Sequence, residues 1–104
     1  MAPPAGGHRL KLTPLALEQR EWLQRTDQRR FKKVQKALKF LKDNPAHPGL
    51  HAHKYDALKG AAPDGGDIWV AYAENHTPSA WRIFFFRDSR DPGLTWVTSI
   101  VPHA

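Results

Sequence analysis

Hydrophobic and polar positions alternate from Arg9 to Thr13, with Leu10 and Leu12 on one side and Arg9, Lys11 and Thr13 on the other, the pattern of a half-buried strand. Its brevity suits a sheet edge. Thr13-Pro14 then opens a helix, because a threonine side chain caps free N–H groups and proline at the first helical position lacks only an N–H that had no partner. This helix is expected to run to about Arg25. Thr26-Asp27 offers a second cap, and from Gln28 the apolar residues Phe31, Val34, Leu38 and Leu41 recur at helical spacing until Asn44-Pro45 stops them. So short a link predicts an antiparallel helical hairpin.

Residues 44–67 are rich in Pro, Gly and His and end in Asp64-Gly65-Gly66-Asp67, a loop pattern of the kind where function collects. Three strand candidates follow, Asp67 to Glu74, Ala80 to Arg87 and Thr95 to Val101, all rich in aromatic and β-branched residues and joined by turn-forming links. They predict a meander. The whole order predicts an α+β domain, with an N-terminal strand and a helical hairpin packed on one face of a twisted antiparallel sheet and the other face left open. Alternation sets Ile68, Val70 and Tyr72 against Trp69, Ala71 and Ala73, and sets Arg82, Phe84 and Phe86 against Trp81, Ile83, Phe85 and Arg87. It does not decide which set meets the helices, since both are aromatic. Trp22, Trp69, Trp81 and Trp96 have element-matched spacing, so most are expected in the core, with one exposed on the open face able to hold an unstacked base.

The chain of 104 residues has room for one core. Residues 1–8 read as a flexible leader and 9–104 as a single domain. The opening Met-Ala-Pro-Pro-Ala-Gly-Gly lacks the basic and apolar regions of a signal peptide, and no apolar run approaches the length of a membrane span. The absence of cysteine rules out disulfides and thiolate metal sites, and the expected location is the cytoplasm with no membrane partner. Charge is divided unevenly: residues 1–54 carry twelve basic and four acidic side chains, while residues 55–104 carry four and six. A polyanionic partner suits the helical half. A solvated lysine face explains the same charges equally well.

The phrase Asn44-Pro45-Ala46-His47-Pro48-Gly49-Leu50, then His53-Lys54 and Leu58-Lys59-Gly60, resembles the helix-to-sheet connection of RelE/ParE toxins. Ile68-Trp69-Val70, Trp81-Arg82-Ile83-Phe84-Phe85 and Val97-Thr98-Ser99-Ile100-Val101-Pro102-His103 continue the resemblance, which covers about residues 9–103. It implies the toxin of a type II toxin–antitoxin pair, a metal-independent endoribonuclease that cuts mRNA, usually at the ribosome, and is held inactive by a cognate antitoxin. Other members poison DNA gyrase, and a non-catalytic antitoxin-binding member of the fold is a third reading. The resemblance implies no metal and no small-molecule cofactor.

Cleavage of this type needs a proton accepted from the 2′-hydroxyl, a proton donated, and charge on the phosphate stabilised. Arg82 matches the strand arginine that resembles a phosphate clamp in the family, a role its forked guanidinium suits. His103 matches a terminal histidine placed near the scissile phosphate, and an imidazole that titrates near neutrality suits either proton step. His53, Lys54 and Tyr72 complete the catalytic candidates, and His51, Lys59, Arg87 and Arg90 are candidates for RNA contact. A bland reading stands beside several: His53 packing its loop on the sheet, Arg82 pairing with a strand carboxylate, Arg87 and Arg90 pairing with Asp88 and Asp91. The chain also departs from the family. The lysines that act in catalysis on the second strand of its best-known ribosome-dependent members are absent from Ile68-Trp69-Val70-Ala71-Tyr72, so either the histidines or Tyr72 take their place or the chain has no nuclease activity.

Overall fold

The computed structural model describes residues 8–58, 60–63, 65–74 and 80–102, so residues 1–7 of the expected leader lie outside it. The elements are β1 (Arg9–Leu12), α1 (Pro14–Thr26), α2 (Gln28–Asp43), β2 (His53–Lys54), β3 (Trp69–Tyr72), β4 (Trp81–Arg87) and β5 (Leu94–Pro102), with single turns of 3-10 helix at Pro48–Leu50 and Asp56–Leu58. Both helix starts use the expected caps. The Thr13 hydroxyl accepts from the Ala16 N–H, and the Asp27 carboxylate accepts from the Arg30 N–H. Asp27 also ends α1 by donating its own N–H to the Leu23 carbonyl, so one residue closes a helix and opens the next.

The sheet has five strands in the order β1-β5-β4-β3-β2. Its meander is antiparallel as expected, but β1 runs parallel to β5, which makes the sheet mixed. Parallel neighbours need a long crossover, and here the helical hairpin and the rest of the sheet supply it. The two-residue strand β2 forms the other edge and was not legible as a strand.

Register settles which face meets the helices. Ala71, Ile83, Phe85, Val97 and Ile100 share a buried cluster with Ala16 and Leu23 of α1 and Val34, Leu38 and Leu41 of α2. At about 25 cal/mol per Å² of apolar surface, this layer is the main source of stability. The opposite face is not bare, contrary to expectation. Val70, Phe84 and Phe86 are buried there beneath Ala62 and Ile68, with Tyr55, Trp96 and Val101 packed around them. Two phenylalanines are too much apolar surface to leave in water, and the loop between β2 and β3 folds over them.

The tryptophans also depart from expectation, since none of the four is fully buried. Trp22 is 50% exposed and stacks on Trp81 with centroids 6.3 Å apart. An indole is large and carries a polar N–H, so element-matched spacing brings it to the core margin rather than the centre.

A bulge in β5 ties the layers together. Phe84 pairs with Ser99 and Phe85 with Val97, leaving Thr98 extra. Its carbonyl accepts from the Thr13 hydroxyl at 3.0 Å, and beyond it the Ile100 N–H donates to Gln19 Oε1 at 2.7 Å. Backbone groups of β5 beyond the end of its pairing with β1 thereby anchor α1 and its cap.

Candidate active site

Register also decides which candidate residues meet. Tyr72 lies opposite Arg82, and Arg82 opposite Val101, so all three share the face turned away from the helices. His53 pairs with Val70, two residues before Tyr72, and therefore emerges on that same face. Its ring stacks on Tyr72 with centroids 5.8 Å apart. On the other side the Arg82 guanidinium carbon lies 5.2 Å from the Phe84 ring centroid and 5.8 Å from that of Tyr55. Phe84 and Tyr55 meet edge to face, which holds the two walls in place.

Arg82 is the electrostatic centre of this group. It is half-buried, its Nε is enclosed without a hydrogen-bond partner, and among the described residues no carboxylate pairs with it. Among the described residues, the strand ion pair that would have explained it structurally is therefore missing. Enclosing a guanidinium costs hydration, which cation–π contact offsets only in part. The guanidinium is held beside two rings while the residue stays partly exposed, a setting compatible with phosphate recognition.

His53 is poised by a different contact. Its Nδ1 lies 3.3 Å from the His51 carbonyl oxygen, and because a carbonyl only accepts, this geometry favours the proton on Nδ1 and leaves Nε2 free to take one. A guanidinium, an imidazole and a phenol thus lie along neighbouring strands.

Other candidates are placed elsewhere. Lys54 follows His53 by one residue and so turns to the opposite side, where its Nζ covers the Trp69 ring at 5.8 Å and pairs with Asp67 at 3.4 Å. It is not brought to Arg82. His51, held at a left-handed φ of 48°, and Arg87 line a cleft of about 300 Å³ with Trp69 and Phe85 on the helix side of the sheet. Arg90 stands in the loop after β4, its N–H donating to Asp88. Lys59 and His103 lie outside the described residues.

His47 serves the loop's own structure: it stacks on Phe40 at 4.1 Å, and its Nδ1 accepts from the Gly49 N–H. A Cβ on Gly49 would come within 3.1 Å of that ring, so any larger residue there would have to push the imidazole aside by a few tenths of an ångström. Sequence reasoning missed Tyr55 and Phe84 as the walls around Arg82. The period-two spacing of His53 with Tyr55, and of Arg82 with Phe84, was the available signal.

No protein-family model matches the sequence, and no curated protein matches it. Solved structures do match. The YoeB/ParE toxin from Agrobacterium tumefaciens superimposes with a TM-score of 0.67 at 18% identity, over 92% of this chain and 99% of that one. The YoeB dimer from Staphylococcus aureus gives 0.65 at 19% identity, over 94% and 99%. YoeB in the heterotetrameric YoeB-YefM toxin-antitoxin complex from the same organism gives 0.62 at 17%, over 93% and 98%. The chain shares the fold of these YoeB and YoeB/ParE toxins across nearly its whole length.

Proposed function

We propose that this chain, built on the fold of the YoeB/ParE toxins, is the toxin of a type II toxin–antitoxin pair and a metal-independent endoribonuclease that cleaves mRNA. The observation that carries the reading is Arg82: a half-buried guanidinium without a carboxylate partner among the described residues, set between Tyr55 and Phe84 and flanked by Tyr72 and His53. In this reading Arg82 holds the scissile phosphate and stabilises the charge that develops on it. His53 Nε2 accepts the proton of the 2′-hydroxyl, whose oxygen attacks phosphorus. The bond from phosphorus to the 5′ oxygen breaks, leaving a 2′,3′-cyclic phosphate and a 5′-hydroxyl that takes up a proton from Tyr72 or His103. The missing strand lysines are thereby replaced by an imidazole and a phenol.

The partner expected to silence this face is an antitoxin, by likeness to the YoeB-YefM complex. Messenger RNA at the ribosome is the expected substrate, and the cytoplasm the expected place of action. Controlled expression tests the reading: it should arrest growth and generate new transcript ends, and Arg82→Ala should abolish both. Arrest with intact transcripts and loss of supercoiling would instead select a gyrase poison, and neither effect a non-catalytic partner-binding protein.

A further inference from the structure

Further along the face that carries Arg82 lies a cleft of about 440 Å³, within the size range of small-ligand sites. Trp96, Phe86, Thr13, Thr98, Arg90 and Asp88 are among the residues that line it. The indole is half-exposed but fixed, because its Nε1–H donates to Asp88 Oδ2 at 3.2 Å. The other Asp88 oxygen accepts from the Arg90 N–H at 2.8 Å, so both oxygens of this carboxylate are engaged by hydrogen bonds. Lys11, directly opposite Trp96 across the β1–β5 pairing, brings its ammonium to 5.6 Å from the ring centroid. Neither Lys11 nor the Arg90 guanidinium has a carboxylate partner among the described residues.

We infer that this cleft is a second nucleotide subsite, in which an unpaired RNA base stacks on Trp96 while Lys11 and Arg90 hold the adjoining phosphates. The inference rests on the reading of the Arg82 face as an RNA site, and extends it to substrate length. A flat aromatic ring flanked by two cations without carboxylate partners among the described residues is complementary to a base joined to phosphates, and an indole pinned through its N–H loses little entropy when a base settles on it. An apolar peptide would have no use for the cations. Phe86, beside Trp96 in register, lies four residues along β4 from Arg82, about 13 Å at the usual strand rise. One nucleotide does not span that distance, so the subsite acts on single-stranded segments of several nucleotides and positions them for cleavage at Arg82.

The test is binding of fluorescent oligouridylates of two, four, six and eight nucleotides, made uncleavable with 2′-methoxy groups, to the full chain and to Trp96→Ala, Trp96→Phe and Arg90→Glu. Dinucleotide affinity should be the same in all four proteins. For the longer oligonucleotides Trp96→Ala should lose roughly tenfold or more, the size of one aromatic stacking contact, and Trp96→Phe should retain most of the affinity. Arg90→Glu lies in an exposed loop and reports on the subsite even if Trp96→Ala unfolds; it should weaken only the longer oligonucleotides. Unchanged long-oligonucleotide affinity in Trp96→Ala or, where that variant does not fold, in Arg90→Glu overturns the subsite while leaving the Arg82 reading intact, and equal loss at every length overturns it as well. No binding by the unaltered chain at any length overturns both.

Discussion

The two faces of the sheet are built from the same alternating strands and put to different uses. Toward the helices, Ile83 and Phe85 of β4 are sealed beneath α1 and α2 in a continuous apolar layer. Away from them, Phe84 and Phe86 are also buried, but their neighbours are Arg82 with an unpartnered Nε and Trp96 with a lysine over its ring. One face is closed by the chain itself. The other is covered only in part, by the loop that carries Tyr55 and Ala62, and the cationic groups stand where that cover ends. Adjacent residues of a single strand thus divide a sealed apolar layer from a partly covered, cationic one.

Substitutions on the two faces should separate accordingly. The largest effect is expected for Phe85→Ala, which removes a fully buried ring from the helix-side layer and should cost about 3–5 kcal/mol in denaturant unfolding. On the other face Arg82→Ala should leave unfolding nearly unchanged, yet lower RNA cleavage by about 10²–10³-fold, with Arg82→Lys recovering little because a point charge lacks the fork. His53→Ala should slow cleavage by about 10²-fold, again at little cost in stability, since the side chain is exposed. Comparable destabilisation by Phe85→Ala and Arg82→Ala would erase the distinction between the faces. Thr13→Ala removes both the cap of α1 and the hydroxyl bond to the bulge, and should cost on the order of 1 kcal/mol. Arg9→Ala breaks an exposed ion pair with Asp91 at the sheet edge and should change stability by less than about 1 kcal/mol.

Much of the scaffold was legible in the chain because local chemistry determines it. Thr13-Pro14 and Asp27 cap the helices where expected, and Asn44 closes α2, since a cap depends only on residues within a turn of it. The aromatic strands β3, β4 and β5 fall within a residue or two of their expected bounds. The pairing of the edges was not legible. The parallel match of β1 to β5 joins Arg9 to Leu94, a contact on which no short stretch of sequence bears. Alternation assigned residues to two faces without naming the faces, and packing against the helices decided the matter.

The same limit governs the site. Arg82, Tyr72 and His53 were each singled out individually, but their grouping depends on two registers, His53 with Val70 and Tyr72 with Arg82. Lys54 shows how sharp that dependence is: one residue from His53, it lies across the sheet on Trp69 and Asp67. Tyr55 escaped notice because its period-two spacing from His53 gives a shared face only once β2 is known to be a strand, and two residues are too few to show that.

The most direct test of the account is primer extension on cellular transcripts after brief induction of the unaltered chain and of Arg82→Ala at matched protein levels. The account predicts discrete new 5′ ends within coding regions for the unaltered chain and none for the variant. Identical ends from both proteins, or growth arrest by the unaltered chain with every transcript intact, would contradict it.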